Sequence, residues 1–592
     1  MLASRLSRFL TVPSTRLYPF PTLFWLPHSL TLAAIYASLA LGEAFSSEYV
    51  VQDDARQHVF WMMRFLDPSL FPHDPIADYF QSVAPPGYTT LYQFFAYLGI
   101  PPLVFNKILP FLLGLLTTAY AFGVSMQLLP VPFAGFCSAA ILNLSLWMRN
   151  DLVSGTPRAF VYPLFVAFLY YLLKRQKWGV WIAIALMGLF YPQYVLVEGG
   201  ILGCLLLWTV AIDRKYRDVL FLGGGLAIAA ASLLPYLVTG NPFDPPITVA
   251  EAREFPEFWM GGRNAFFDLN WRSFWLFGER SGLIPKRTPA ILWIGLALPL
   301  LYRYSALFSL TKKLDRKIYI LIPIAVSSLV LFFAAHAFLF KLHLPSRYTL
   351  HGEIICLSLL SGMTFVIVLD AILRWSFQQP RQKTSLKYRV GIWATALALG
   401  TIVLYPVSLE QFPRTSYQVG TQGDLYQFFK EQPQDILIAS LEPETDNLPS
   451  FSQRSVLVAQ EYSIAYHTGY YYPFRQRTID LIRAQYSPTL EPLEQLIDRD
   501  HVDFFILNKQ AFKPNYIVHN IWLNSLRTSI AAEGDELAQT SQNSLAFLQA
   551  GNTPAIAQTL GACAIYQTSS VLVLDARCMS RVAKAKPAAR HP

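Results

Sequence analysis

Charged residues are scarce in this chain, and this scarcity argues against a soluble globular protein. Only 14% of the 592 residues are Asp, Glu, Lys or Arg, whereas a soluble domain carries about a quarter. No basic face is interleaved with base-stacking aromatic residues, which argues against nucleic acid as a partner. The C-terminal third has no P-loop, no nucleophile elbow and no zinc-ligand spacing. The sequence therefore does not indicate a soluble enzyme of any of these kinds.

Long hydrophobic runs stand where the charge is missing. Hydrophobic residues make up 53% of the chain, and several runs reach the roughly 20 residues that cross a bilayer. We predict a polytopic α-helical membrane protein of about eleven spans. The candidate spans, numbered here in chain order, lie near residues 21–44, 104–129, 131–150, 159–173, 178–191, 194–212, 218–238, 289–308, 318–340, 350–373 and 390–409.

The charges of the connecting segments predict the orientation in the membrane. The first 410 residues contain 32 Lys and Arg, and 18 of these lie in five segments that the alternation of spans places on one side of the membrane. These segments are 1–20, 174–177, 214–217, 312–317 and 374–389. Basic loops stay on the cytoplasmic side. The N-terminus is therefore predicted inside, and the last 180 or so residues outside.

Three regions follow from these patterns. Residues 1–410 form the membrane domain, with a long first external loop at 47–103. Residues 411–592 carry 15 Lys and Arg against 17 Asp and Glu, and the part 411–580 alternates strand-like with helical runs, which predicts an external α/β domain. Residues 581–592 are predicted to be a disordered basic tail. Within the first loop, 56–66 has the composition of a short helix lying in the membrane interface.

The acidic pair Asp53 and Asp54 follows the first span, on the predicted external side. Carboxylates at the mouth of a membrane cavity can deprotonate an acceptor hydroxyl or bind a cation. Solvated loop acids are the alternative interpretation. Candidate substrate-binding residues on the same side are His58 in the first loop, and Asp151 and Arg158 in the second external turn.

A late external loop provides the complementary charge. Arg347 and His343 lie before the tenth span, and Tyr348 follows Arg347. The planar fork of arginine matches phosphate oxygens, although anchoring at the interface is the alternative for Arg347 and Tyr348. Glu198 is an intramembrane carboxyl within the sixth predicted span. Such groups line cavities or pair with a base.

These motifs together resemble the GT-C superfamily of polytopic glycosyltransferases, in particular the protein-mannosyl- and aminoarabinosyl-transferase type. The shared features are the acidic pair after the first span, the long loop with two helices, a Pro-Pro before the second span, and Pro345-Ser-Arg347-Tyr348. The resemblance implies that Asp53 or Asp54 is the general base and that Arg347 lies near a lipid phosphate. The pair is Asp-Asp rather than the Asp-Glu common in that type, so which carboxylate acts is open.

The resemblance implies transfer of a sugar from a polyprenyl-phosphate donor to a glycan, lipid or protein acceptor at the external face, in contact with membrane lipid. A divalent cation, Mg or Mn, held by Asp53, Asp54 and Asp151 is left open. Two alternatives are a transporter or lipid flippase, and a non-catalytic envelope assembly protein. Transporters show repeated halves and polar sites at mid-membrane, and we find no internal repeat.

Cysteines and glycosylation sequons bear on the compartment. Cys563 and Cys578 flank two strand-like runs joined by a short turn, and a hairpin would bring them together in an oxidising space. We predict a disulfide between them. No Asn-x-Ser/Thr sequon occurs in the predicted external regions, which favours a bacterial inner membrane with a periplasmic C-terminal domain.

Overall fold

A computed structural model describes residues 9–14, 20–213, 216–284, 289–377 and 386–585 of the chain. The membrane part is mostly helical. Its α-helices are α1 Phe20–Ala44, α2 Ala55–His58, α3 Pro75–Ser82, α4 Pro86–Tyr97, α5 Pro102–Leu128, α6 Pro132–Trp147, α7 Val161–Leu173, α8 Lys177–Phe190, α9 Pro192–Trp208, α10 Tyr216–Val238, α11 Val249–Glu254, α12 Leu298–Arg303, α13 Leu321–Ala337, α14 Ser346–Phe377 and α15 Leu386–Leu404.

Helical stretches occupy each of the eleven predicted spans. Among the described residues, seven are long and apolar enough to cross a membrane: Phe20–Ala44, Pro102–Leu128, Pro192–Ile212, Asp218–Val238, Arg316–Ala337, Ser346–Ser376 and Arg389–Ser408. The shorter apolar helices are Pro132–Trp147, Pro157–Leu173, Lys177–Phe190 and Ala290–Arg303. Every residue of α6 is buried. A helix enclosed by its neighbours need not match the bilayer thickness by itself, so the eleven crossings remain a prediction.

Close helix contacts depend on small residues. Helix α14 packs along α6, and a Cβ atom at Gly362 would lie 2.2 Å from the backbone nitrogen of Ser138. Glycine is therefore required for this approach. The Ser138 hydroxyl donates to the Leu359 carbonyl at 3.2 Å, which satisfies a buried polar group inside the bundle.

The C-terminal region contains a small mixed sheet surrounded by helices. Its strand order is β4-β3-β5-β7-β6, with β3 parallel to β4 and β5, and β7 antiparallel to β5 and β6. The strands of this region are β2 Tyr417–Val419, β3 Leu437–Ser440, β4 Ser455–Val456, β5 Phe504–Asn508, β6 Ala564–Gln567 and β7 Val571–Asp575. The helices are α16 Gly423–Lys430, α17 Leu448–Phe451, α18 Thr468–Tyr486, α19 Glu491–Asp500, α20 Pro514–His519, α21 Ile521–Thr528, α22 Glu536–Gln549, α23 Leu560–Cys563 and α24 Ala576–Ala585.

The first part of the predicted disordered tail is helical. Helix α24 runs to Ala585, so residues 581–585 of the segment predicted to be disordered are helical. This helix packs on α19, where Lys584 pairs with Asp498 at 3.0 Å. Residues 586–592 lie outside the described residues.

The first loop is folded against protein rather than spread on a membrane surface. It begins with β1, Val50–Gln52, which pairs antiparallel with β2. Segment 56–66 forms α2 and a 3-10 turn, Phe60–Phe65. The side chains of Phe60, Trp61 and Met62 are fully buried, and Phe60 lies 5.4 Å from the ring of Tyr462 in the C-terminal region. The predicted interfacial helix is therefore wrong, because its apolar side chains are buried within the protein, where the C-terminal region forms part of the cover.

A disulfide joins Cys563 and Cys578, the pair that the sequence indicates, with a Cα–Cα distance of 5.4 Å. The closed loop spans a sequence separation of 15 residues. Cross-links of this length stabilise a fold by about 3 kcal/mol through the unfolded chain.

We expect Cys578→Ser to destabilise the C-terminal sheet by about that amount. Limited proteolysis of the detergent-solubilised protein over a temperature series would measure it, as cleavage within 411–585 at lower temperature. Cys204→Ser removes an unbonded cysteine and is the control. Equal cleavage temperatures for wild type and Cys578→Ser would show that the disulfide does not stabilise this region.

Candidate active site

One cavity of about 840 Å³ lies where the membrane helices meet the C-terminal region. Its lining comes from six separate parts of the chain, namely residues 53–85, 150–158, 191–193, 260–281, 343–347 and 464–467, with Tyr236 beside them. In the chain, each of these six parts comes after an odd-numbered span of the eleven predicted from the sequence. They therefore converge at one end of the helical bundle.

The opposite end of the bundle carries the basic segments 174–177 and 312–317. The backbone N–H of Asp315 donates to the carbonyl of Leu128 at 2.8 Å, and the Lys317 ammonium donates to the Gln127 side chain at 3.0 Å. Arg175 pairs with Asp218 at 3.1 Å. The cavity and the basic loops are thus separated by the length of the bundle.

The acidic pair is held at the start of α2 by the β1–β2 ladder. The N–H of Asp53 donates to the Ser416 carbonyl at 3.1 Å, just beyond the ladder. The N–H of Asp54 donates to the side-chain carbonyl of Gln52 at 2.8 Å. Both carboxylates line the cavity. Their position is therefore fixed by the segment that leads into the C-terminal region.

The two carboxylates have different partners. Asp54 accepts a hydrogen bond from the Arg158 guanidinium, whereas Asp53 accepts one from Arg56. Burial raises the pKa of the Asp54 carboxyl, but the charge of Arg158, assisted by Arg263, outweighs burial and leaves the pKa below its usual value. Asp54 is therefore ionised at neutral pH.

A buried carboxylate below the cavity holds three arginines. Asp151 accepts from Arg149 at 2.9 Å and lies 3.4 Å from Arg158 and 3.9 Å from Arg347. Burial raises the pKa of the Asp151 carboxyl, but the charges of Arg149 and Arg158 lower it by more, so the net shift of the pKa is downward. Tyr162 donates to the same carboxylate at 3.2 Å. Asp151 is only 1% exposed and does not line the cavity. It positions guanidiniums and does not itself face a substrate.

Two arginines line the cavity with little or no compensating charge. Arg347 lies 3.9 Å from Asp151, too far for a direct hydrogen bond. Arg280 donates to the Ala265 carbonyl at 3.2 Å and forms no ion pair within the part of the chain that the structure describes. The N–H of Ser346 donates to the Arg280 carbonyl at 3.2 Å, which ties the two arginine-bearing loops together. These guanidiniums form the part of the wall best suited to an anion.

Two histidines of the wall are neutral. Burial lowers the pKa of His58 to about 4 and that of His343 to about 3, and neighbouring arginines favour the neutral form of both. Both line the cavity, where they can accept or donate hydrogen bonds without adding charge.

Besides Asp151, two predicted site residues do not line the cavity. Tyr348 is buried and its hydroxyl donates to the Leu342 carbonyl at 2.8 Å, so it fixes the loop that carries Arg347. Glu198 is fully buried among the membrane helices. Neither lines the cavity. A direct substrate contact is therefore unsupported for Tyr348 and Glu198.

The carboxylates do not fit a shared divalent cation in this arrangement. Asp53 pairs with Arg56, whereas Asp54 and Asp151 share Arg158 and Asp151 also pairs with Arg149. Among the described residues, no group of three His, Cys, Asp or Glu side chains could hold a metal ion. The negative charge that a cation would neutralise is already paired with guanidinium.

Three functional candidates escape sequence reasoning. Arg263 and Arg280 lie in the long loop that the sequence predicts at 239–288, where the aromatic composition indicates an interface belt or a lid, and both line the cavity. Glu461 of the C-terminal region accepts hydrogen bonds from Arg56 and Arg263. Only the unusual density of arginine among the aromatic residues of this loop is a signal in the sequence.

Known structures share this fold. The chain is similar to an oligosaccharyltransferase from Archaeoglobus fulgidus in its apo form, with 12% identity, a TM-score of 0.50, and 84% of this chain and 71% of that chain covered. It is also similar to ArnT from Cupriavidus metallidurans in the apo state, with 12% identity, a TM-score of 0.42, and 92% and 97% covered. For ArnT bound to undecaprenyl phosphate the values are 13%, 0.41, 93% and 98%.

No protein-family model matches the chain, and no curated protein matches it by sequence. The likeness to the oligosaccharyltransferase, at 12% identity, shows the fold. It confirms the architecture that the sequence resemblance implied. The chain therefore has the fold predicted from its resemblance to the GT-C superfamily.

Removal of the charge at Asp151 tests the arginine cluster. Asp151→Asn leaves three guanidiniums around a neutral side chain, and breaking such a buried pair costs roughly 3–5 kcal/mol. We expect a clear drop in the thermal unfolding temperature of the detergent-solubilised protein. Asp268→Asn, a half-buried cavity-wall residue without an ion pair among the described residues, is the control. An unchanged unfolding temperature for Asp151→Asn would contradict the assigned role.

Proposed function

We propose that this protein is an integral-membrane glycosyltransferase that moves a sugar from a polyprenyl-phosphate donor to an acceptor. The observation that carries the proposal is the charge arrangement of one cavity. Two carboxylates, Asp53 and Asp54, line this cavity together with Arg280, which forms no ion pair among the described residues, and Arg347, which lies 3.9 Å from the Asp151 carboxylate and is not hydrogen-bonded to it. A base and an anion site are the two elements that transfer from a phosphate leaving group needs.

The donor phosphate binds at Arg280 and Arg347. Their loops are joined twice, because the Ser346 hydroxyl also donates to the Glu279 carbonyl at 2.9 Å. This bracing holds the guanidiniums before substrate arrives, and preorganised charge is what stabilises a developing phosphate anion. The lipid chain extends toward the membrane helices, near Tyr236 at the end of α10.

Asp54 acts as the general base. The acceptor hydroxyl donates its proton to Asp54 while its oxygen attacks the anomeric carbon. The bond from that carbon to the phosphate oxygen breaks, and the lipid phosphate leaves with the electron pair. Attack opposite the leaving group inverts the anomeric centre. Asp54 is preferred over Asp53 because Arg158 links it through Asp151 to Arg347, so base and phosphate site belong to one network.

The reaction takes place at the external face, with the C-terminal region outside a bacterial inner membrane. Two independent patterns support this placement. All six cavity-lining parts follow odd-numbered apolar stretches, as eleven crossings require. The basic segments predicted to be cytoplasmic either precede the first predicted span or follow an even-numbered one.

The oligosaccharyltransferase with which this chain shares its fold supports the reaction class. Residues 1–410 form the membrane domain in this proposal, and 411–580 the external domain. A transporter or flippase would need a substrate path through the bundle. The cavity described here instead lies at one end of it, which favours transfer.

The proposal is tested by transfer of radiolabelled sugar from a panel of polyprenyl-phosphate sugars to acceptors in native membrane extract. We expect Asp54→Asn to lower turnover by roughly 100- to 10,000-fold, the range of general base catalysis. Arg280→Ala and Arg347→Ala should weaken donor binding. Arg272→Ala, an exposed residue of the same loop as Arg280 and outside the cavity lining, is the control.

Full activity of Asp54→Asn would remove it as the base. An effect of Arg272→Ala equal to that of Arg280→Ala would remove the specific phosphate site. Wild-type protein inert with every donor, together with substrate-dependent lipid movement across vesicles, would support the flippase instead.

Orientation is tested by labelling single cysteines with a membrane-impermeant thiol reagent. Glu491→Cys places a thiol on the exposed surface of the C-terminal region, and Lys313→Cys places one in a basic loop. In cells with a permeabilised outer envelope, we expect Glu491→Cys to react and Lys313→Cys to react only after the inner membrane is lysed. The reverse order would invert the assigned topology.

A further inference from the structure

A single carboxylate of the C-terminal region lies between two walls of the cavity. Glu461 is 5% exposed. One of its oxygens accepts from Arg56 at 2.9 Å, and the other accepts from Arg263 at 2.5 Å and from Gln57 at 2.6 Å. Its backbone carbonyl also accepts from Gln57 at 2.7 Å. Three side chains from two distant loops therefore converge on one residue.

Both arginines held by Glu461 are close to the acidic pair. Arg56 also donates to Asp53. Arg263 lines the same cavity as Asp53 and Asp54, and its charge contributes to lowering the pKa of Asp54. Without Glu461, the carboxylates of the acidic pair are the nearest compensation for Arg263. A guanidinium bonded to the base would block the proton acceptor and occupy the space of the acceptor substrate.

We infer that Glu461 is a positioning residue through which the C-terminal region holds Arg56 and Arg263 apart from the base and keeps the segment that carries Arg263 against the cavity. The catalytic consequence rests on the proposed function, whereas the structural consequence does not. The C-terminal region is thereby a working part of the active site and not a display module attached to it.

A second clamp on the same two parts provides a matched control. Glu257, in the same segment as Arg263, accepts a hydrogen bond from Tyr471 of α18 and lies 3.9 Å from Arg475. Arg475 pairs in turn with Asp535. None of these four residues lines the cavity. Loss of this clamp weakens docking of the loop without releasing an arginine toward the acidic pair.

The test compares Glu461→Gln with Glu257→Gln in the full-length protein, in transfer assays and by hydrogen exchange. We expect Glu461→Gln to lower kcat by roughly 10- to 100-fold, the effect of misplacing a catalytic group, with the KM for donor changed much less. Backbone exchange should rise in residues 53–58 and 260–265. Glu257→Gln should leave kcat within about threefold of wild type, the usual context-dependent scatter for a change outside the reacting groups.

A double variant separates charge release from loss of structure. If the freed Arg263 quenches the base, Glu461→Gln with Arg263→Gln should recover part of the lost kcat relative to Glu461→Gln alone. A double variant as slow as or slower than Glu461→Gln, with Arg263→Gln alone active, would overturn the quenching role.

Three further outcomes bear on the role of Glu461. Unchanged exchange and unchanged kcat in Glu461→Gln would overturn the inference. Equal losses in Glu461→Gln and Glu257→Gln would reduce Glu461 to one docking contact among several, which also contradicts it. If wild type transfers no sugar from any donor, the proposed function fails, and exchange in 53–58 and 260–265 alone decides whether Glu461 is the clamp.

Discussion

Burial of charge at one end of the helical bundle is the constraint on which the site depends. Asp151 is almost fully buried and is bonded to or close to Arg149, Arg158 and Arg347. A charge in such a place is tolerated only when it is paired and hydrogen-bonded. The turn after α6, the start of the 157–173 helix and the start of α14 must therefore meet at this carboxylate. The cavity walls take their positions from that meeting.

A second ionic centre joins the C-terminal region to the same cavity. Glu461 and Arg56 are separated by 405 residues in sequence, yet their side chains are 2.9 Å apart. The β1–β2 ladder reinforces this attachment beside the acidic pair. The membrane domain supplies the phosphate-binding arginines of the proposed site, and the C-terminal region fixes the carboxylates. Neither part forms the cavity alone.

The sequence predicted those features that follow from local patterns. Hydrophobic runs located the helices, and the position of residues at loop mouths identified Asp53, Asp54 and Arg347 as cavity residues. Tyr348 was chosen for its neighbour, but adjacent residues of a helix point about 100° apart, so its ring lies in the protein interior. Glu198 lies two turns inside α9, beyond reach of the cavity.

The rest could not be predicted because it depends on which distant loops meet. Arg263, Arg280 and Glu461 have no distinctive spacing, and their roles follow only from partners far along the chain. For the same reason the apolar segment 59–63 resembled a membrane-surface helix. Its partner surface, which includes Tyr462, is about 400 residues away in sequence. Amphipathic periodicity shows that a face is covered but not by what.

Binding of a lipid-linked phosphate in this cavity can be tested directly by photocrosslinking. A polyprenyl-phosphate analogue with a photoreactive group beside the phosphate would be irradiated with the purified protein, and the labelled peptides identified by mass spectrometry. We expect labelling within 278–282 and 343–347, and we expect excess unlabelled polyprenyl phosphate to suppress this labelling. Suppressible labelling confined to other segments, or none that is suppressible, would contradict such binding.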